Sequence, residues 1–525
     1  MKLKINNRYK EILIMSFLFV GLFFACNDDW NEHYDKKNKP DGIDLLSAMK
    51  QDPDLSVFVK MIEISGYTQR VAGTEAYTIW APTNEALNRE GISIENLSSE
   101  DSVNIQTITK SHIARYFYST SEIASSEKRI LMLTDKYVYF NKGDNNYLFN
   151  EKPIITPNTI CSNGVLHKLD GIVTPLDNLW EYISKSPELK SVYDFIIKYD
   201  STYLDLTRSK PIGINDEGYT VYDSVMIFEN KLLNYLGDLN LEDSVYTVIA
   251  PTETAYQKAF DVYKEYYKSY GWVAAERKVN PEVAAATTKQ RTDSMIVNNL
   301  VFRGSYADLL KKDSVRSTTR TVFKENWKDM FNGTFHKASN GDIMFTDDFK
   351  QNIYESVHKP LYIDFIRYGN IGYEGSISWS LPEEETSIEE AKGGFLLLEE
   401  TTNAPSPILS VYWGYEGVSA KYDIYCTIIP GVASDPLNIN ERTKLDFGLQ
   451  YRLGNSNRSF ELLKGFITDP LEVQRVLVAQ NVEIPYFDVS ARLTIAIKVS
   501  QTESELYRKR VRIKDVTFVP VRTVN

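Results

Sequence analysis

Cysteine is scarce in this chain. Cys26, Cys161 and Cys426 stand far apart in 525 residues, so there is neither the even, closely spaced set of a disulfide framework nor a C-x-x-C pair for zinc. The five histidines, His33, His112, His167, His336 and His358, fall in no H-E-x-x-H or related metal spacing. His112 and His167 lie in segments able to approach each other, which leaves a cryptic metal site open beside the plainer reading of packed histidines. A G-x-S-x-G elbow, a phosphate-binding loop and a dinucleotide fingerprint are all missing. Basic residues are the minority, 59 against 71 acidic for a net charge of −12, and they form no cluster; this excludes a nucleic-acid binder, which needs a dense basic surface to displace counterions. No apolar run reaches the roughly twenty residues of a membrane-crossing helix.

These absences leave no catalytic chemistry to assign and imply neither metal nor cofactor. The carboxylates that would serve a polysaccharide-degrading enzyme, the alternative of a different class, are Asp347-Asp348 and Glu383-Glu384-Glu385. A solvated acidic loop accounts for them more simply.

The amino terminus carries what the rest lacks. Lys2, Lys4, Arg8 and Lys10 precede an apolar run of about thirteen residues, Ile12 to Phe24, too short to span a bilayer and suited to an export signal. Leu22-Phe23-Phe24-Ala25-Cys26 resembles a bacterial lipobox, which implies removal of residues 1–25 and acylation of Cys26; a plain secretory signal with a chance cysteine is the alternative. Phe23 departs from the commoner leucine. Asn27-Asp28-Asp29 resembles the acidic signal that sends some lipoproteins to the outer face of the outer membrane. Residues 26–40 read as a flexible tether, and the acyl chains would be the membrane anchor.

An internal repeat follows. Tyr77-Thr78-Ile79-Trp80-Ala81-Pro82-Thr83-Asn84-Glu85-Ala86 recurs as Tyr246-Thr247-Val248-Ile249-Ala250-Pro251-Thr252-Glu253-Thr254-Ala255. Each copy has a helical pattern upstream: Leu55, Phe58, Val59 and Ile62 in the first, Leu189, Val192, Tyr193, Ile196 and Ile197 in the second. Downstream, Ser162-Asn163-Gly164 is echoed by Ser339-Asn340-Gly341, and Asn-Gly between apolar runs predicts a hairpin because both residues tolerate positive φ.

On these residues the chain resembles the fasciclin domain family. The family's T-x-x-A-P-T-x-x-A box is matched by Thr78 to Ala86 and by Thr247 to Ala255, the proline ending a strand and the second threonine capping a helix. Its second box is matched by Asn163 to Asp170 with His167, and a histidine-bearing helix by Ile108, His112, Ile113 and Tyr116. The second copy departs: Asn299 stands near the place of His112, Met344 or Phe345 replaces His167, and residues 209–219 are inserted. The resemblance implies an α+β fold: two tandem fasciclin-like domains, each a β-wedge with helices, at residues 41–176 and 178–357.

From residue 358 onward the period changes to two. Tyr422, Ile424, Cys426 and Ile428 alternate with polar neighbours, as do Leu493, Ile495, Ile497 and Val499, while Val511, Ile513, Val516 and Phe518 shift register near Asp515. Residues 358–525 therefore predict an antiparallel β-sandwich of jelly-roll texture. Trp379, Tyr412, Trp413 and Tyr415 are the candidate ligand-binding residues, since aromatic rings stack on sugar faces; packing within the sandwich is the competing use. The expectation is a non-catalytic adhesion or recognition lipoprotein. Its expected partners are the outer membrane through the lipid anchor, a TonB-dependent transporter with its glycan-binding lipoproteins, and polysaccharide; a cell–cell or matrix adhesin is the alternative.

Overall fold

The computed structural model describes residues 42–522, apart from 93, 95–97, 124–126, 366–370, 381–387, 405 and 413–416. The signal, Cys26 and the tether lie outside the described residues. The fold is α+β, and the chain divides into two compact units, Met1–Leu176 and Asp177–Asn525.

In the first unit Tyr77–Pro82 is buried at every position and runs through the sheet, parallel to Gly164–Leu169 and antiparallel to Ile113–Arg115. Four further strands extend the sheet to seven, ending at Lys128–Leu131. A bridge between Ala114 and Met132, with the Leu133 N–H donating to the Ile113 carbonyl, ties the last strand region back to the first. Inside this wrapped sheet Trp80 stacks on Phe149 at 4.1 Å and packs with Phe140, Ile130 and Val138. The helices cover a separate core: Leu55, Phe58, Val59 and Ile62 are all buried, as their spacing predicts.

The hairpin predicted at Asn163-Gly164 forms, but for a different reason. The loop residues are Ser162 and Asn163, with Cys161 opposite Gly164. Asn163 does not adopt positive φ. It is buried, its Oδ1 accepting from the Leu45 N–H at 2.8 Å and its Nδ2 donating to the carbonyls of Val71 and Gly73, each at 2.8 Å. One side chain thus fastens the start of the helix Leu45–Gln51, the loop after Thr68–Val71 and the hairpin. Gly164 is required by close approach, since a Cβ there would lie 2.1 Å from the Tyr77 carbonyl oxygen.

The second unit repeats this frame residue for residue. Tyr246 to Pro251 pairs in parallel with Gly341 to Thr346 in the same register, and Tyr246 pairs with Arg303 as Tyr77 does with Arg115. Asn340 accepts from the Leu179 N–H at 2.8 Å and donates to the carbonyls of Leu239 and Leu241. A Cβ on Gly341 would lie 2.0 Å from the Tyr246 carbonyl oxygen. The register also settles the replacements. Met344 pairs with Ile249 as His167 does with Trp80, and Leu300, one residue beyond Asn299, takes the backbone place of His112.

The remainder of the second unit is an antiparallel sandwich. One sheet runs in the order Ser376–Ser380, Phe395–Glu399, Arg510–Pro520, Ala420–Ile429, Gln474–Ile484. The other runs Ile371–Glu374, Ile408–Tyr412, Ser490–Ile497, Lys444–Leu453, Ser456–Ile467. The alternating residues named above point into the core, and the predicted register shift falls where Thr427 faces Asp515 and Ile428 faces Ile513. A segment inserted between the helices Glu253–Tyr263 and Pro281–Asn298 docks on this sandwich. The Ser419 N–H donates to Tyr266, the Phe487 N–H donates to Lys268, and Asp488 accepts from the Ser269 hydroxyl and the Tyr270 N–H. One apolar core runs from Leu179 to Phe518.

On the inner strand Arg510–Pro520 of the sandwich, Arg512 is buried against Glu441 (side chains 4% and 5% exposed, Nη1 to Oε1 2.9 Å), with Arg510 on the same carboxylate. Removing one partner of such a pair strands a buried charge. Glu441→Ala is expected to destabilise the second unit by about 3–5 kcal/mol in denaturant unfolding. Asn163→Ala leaves the buried Leu45 N–H and Val71 carbonyl and the half-buried Gly73 carbonyl unpaired and is expected to cost the first unit about 2–4 kcal/mol, with Asn340→Ala doing the same to the second. Hydrogen exchange, read segment by segment, assigns each loss to its unit.

Candidate functional site

The residues that carry the repeat are engaged in structure. Thr78 Oγ1 donates to the Tyr116 carbonyl at 2.8 Å and accepts from the Tyr118 N–H at 2.9 Å; Thr247 Oγ1 donates to the Gly304 carbonyl at 2.8 Å. Thr83 and Thr252 are helix N-caps, as predicted. The resemblance implies a histidine-bearing helix at Ile108, His112, Ile113 and Tyr116, but the helix Ser99–Ser111 stops before His112. Pairing with Tyr77–Pro82 takes over at Ile113, and Tyr116 lies beyond the strand.

His112 and His167 are fully buried in different cores. His112 Nδ1 lies 2.7 Å from the Ile108 carbonyl and its Nε2 accepts from the Val173 N–H at 3.0 Å, with Phe58 edge-on at 5.7 Å. His167 Nε2 lies 2.9 Å from the Tyr118 carbonyl, its Nδ1 accepts from the Asn158 N–H at 3.3 Å, and its ring stacks on Trp80 at 5.4 Å. Each ring is a neutral tautomer with both nitrogens occupied, so the two share no metal site, and no metal-holding group of side chains occurs among the described residues. Burial holds both well below the usual 6.5, at about 4. The unfolded chain therefore takes up these protons first as pH falls below 6.5, and stability is lost progressively from there down to about 4. The cost is roughly 3 kcal/mol for each histidine at the lower limit. The protection factors of the Asn158 and Val173 amides, corrected for the intrinsic pH dependence of exchange, are expected to fall across that interval and to stay level between pH 7 and 9.

The aromatic candidates of the sandwich are not brought into view as a cluster. Trp379 lies on a strand of one sheet and Tyr412 on a strand of the other; Tyr412 is 37% exposed, with its hydroxyl end near Gly372. The side chain of Trp379, and Trp413 and Tyr415 entirely, lie outside the described residues. Of the acidic candidates, Asp347 accepts from Thr252 Oγ1 at 2.8 Å and Asp348 pairs with Lys350 at 3.3 Å; residues 383–385 lie outside the described part.

Two surface features emerge that motif reading did not single out as sites. The insertion of the second copy is a β-ribbon: Asp200–Leu204 pairs with Met226–Asn230, and beyond them Lys210–Ile214 pairs with Thr220–Asp223. It exposes Ile212, Ile214, Tyr219 and Phe228, the last to 79%. The other is a cavity of about 750 Å³ in the first unit, lined by Arg70, Glu75, Tyr77, Arg115, Tyr116 and Phe117. Tyr77 donates its hydroxyl to Glu75, and burial together with that carboxylate pushes its pKa up to about 12.

Residues 53–175 match the family model of the fasciclin domain. The chain is 23% identical over 134 residues to transforming growth factor-beta-induced protein ig-h3 of Sus scrofa, covering 26% of this chain and 20% of that protein. It is 30% identical over 137 residues to Stabilin-2 of Rattus norvegicus, covering 25% and 9%. The matches therefore span a fifth or less of these relatives. Among solved structures, a FAS1 domain pair from the insect cell adhesion molecule Fasciclin I aligns with 59% of this chain and 97% of its own at 14% identity and a TM-score of 0.21. A carbohydrate-binding module of the β-sandwich superfamily aligns with 40% of this chain and 72% of its own at 8% identity and a TM-score of 0.19.

Proposed function

We propose that this chain is a non-catalytic adhesion and recognition module, tethered through acylated Cys26 to the outer face of an outer membrane. The observation that carries the adhesive reading is the ribbon of the second copy. A two-stranded ribbon is marginal on its own in water, and one that leaves large apolar side chains open is suited to a protein surface that covers them. The engaged state of the repeat's threonines, asparagines and histidines supports a scaffold rather than a reaction centre. The match of residues 53–175 to the fasciclin domain supports the same reading. The finer reading makes the chain an accessory lipoprotein of a TonB-dependent glycan or nutrient importer, its sandwich engaging polysaccharide. Cell–cell or matrix adhesion is the second reading, and the ribbon favours it.

Replacing residues 206–223 with a short turn is expected to leave the fold and surface level unchanged. It should abolish attachment of cells displaying the chain to a surface or partner that the intact chain binds. Radiolabelled palmitate should enter the wild-type protein and not Cys26→Ala; its absence from the wild type removes the anchor. Detergent extraction of intact outer membranes should recover a TonB-dependent transporter with the tagged chain, and its absence rejects the accessory role.

A further inference from the structure

Tyr116 sits in the left-handed region, φ 74°, where a bulky side chain is disfavoured. The repeat supplies an internal control. Gly304 occupies the equivalent place: its N–H donates to Val245 as that of Tyr116 does to Ala76, and its carbonyl accepts from Thr247 as that of Tyr116 does from Thr78. The second copy thus solves the same backbone requirement with glycine, φ 101°. In the first copy a tyrosine is kept there although its side chain is 66% exposed and gains little from packing. Strain retained at an exposed position points to use.

What surrounds Tyr116 defines that use. Phe117, 49% exposed, is next to it, where the second copy has Ser305. Arg70 and Arg115 line the same cavity, and among the described residues neither pairs with a carboxylate. Glu75 is engaged by the Tyr77 hydroxyl, so two guanidiniums against one carboxylate leave a positive spot on a chain whose net charge is −12. Guanidinium forks match carboxylates, and exposed rings match the flat C–H face of a sugar. A peptide adding as a strand would need the free edge of Ile113–Arg115. That edge is already taken by Met132 and Leu133.

We infer that the cavity bounded by Arg70, Arg115, Tyr116 and Phe117 binds a carboxylate-bearing sugar ring, a hexuronic acid residue of an acidic polysaccharide. The arginines hold the carboxylate and the aromatic pair holds the ring. This site is in the first unit and depends neither on the ribbon nor on the sandwich.

The test is isothermal titration of the full chain with tetragalacturonate and a glucuronate-bearing tetrasaccharide, with neutral galactotetraose and tetraglutamate as comparisons. Saturable binding of at least one uronate is expected, at least tenfold tighter than either comparison and weakened by added salt. Arg115→Gln should lose at least tenfold. Tyr116→Gly should lose as much binding while raising the thermal midpoint of the first unit, on the order of 2–4 °C, because the strain is relieved. A structural role alone would not produce that opposite pair. The inference is overturned if neither uronate binds, if tetraglutamate or the neutral sugar binds as tightly, if Tyr116→Gly retains binding, or if it lowers the midpoint.

Discussion

The parallel pairing of Tyr77–Pro82 with Gly164–Leu169 is the constraint on which the first unit depends, and its twin governs the second copy. Parallel neighbours cannot be joined by a tight turn, so the chain between them must wander and return in register. Two residues secure the return. A glycine allows the backbones to meet, and the asparagine before it gathers a helix start and a distant loop onto the hairpin through three hydrogen bonds, two of them buried. The Thr box acts from the other side of the same strand, tying it to the chain that leaves the antiparallel neighbour.

With the frame held at these points, the two copies are at liberty to differ elsewhere. The first fills its interior with Trp80, Phe149 and a neutral His167; the second puts Met344 in the histidine's place and needs no buried titratable ring there. The first keeps an aromatic pair where the second has Gly304 and Ser305. The second instead grows the ribbon and the docking segment after Tyr263. The copies differ in side chains and insertions, while the shared hydrogen bonds, those to Tyr116 and Gly304 included, are kept.

Much of this was legible from local pattern. The repeat, the capping threonines, the buried helix faces and the two-residue alternation of the sandwich all follow from periods of two or of three and four, which depend only on near neighbours. What escaped was non-local. Asn163 reads as a turn residue until its partners 118, 92 and 90 positions away are seen. The helix that the resemblance implies at Ile108, His112, Ile113 and Tyr116 gives way from Ile113 to strand pairing with Tyr77–Pro82, a tertiary preference that no window reveals. The arginines of the cavity lie 45 positions apart in sequence and share no motif. Tyr116 enters through the family resemblance, whereas its interest is in its backbone angle, to which Gly304 is the counterpart.

The stretch that lays Tyr266, Lys268, Ser269 and Tyr270 against Ser419, Phe487 and Asp488 bears on how such a chain diversifies. Repeated domains ordinarily evolve by duplication, loss and shuffling of whole units. Here the second copy has fused its fate to the sandwich, because either one transplanted alone would carry a bare apolar flank into its new setting. The first copy has no such inserted stretch and retains the plain form of the repeat. Recombination would therefore move the second copy and the sandwich as a single inherited cassette.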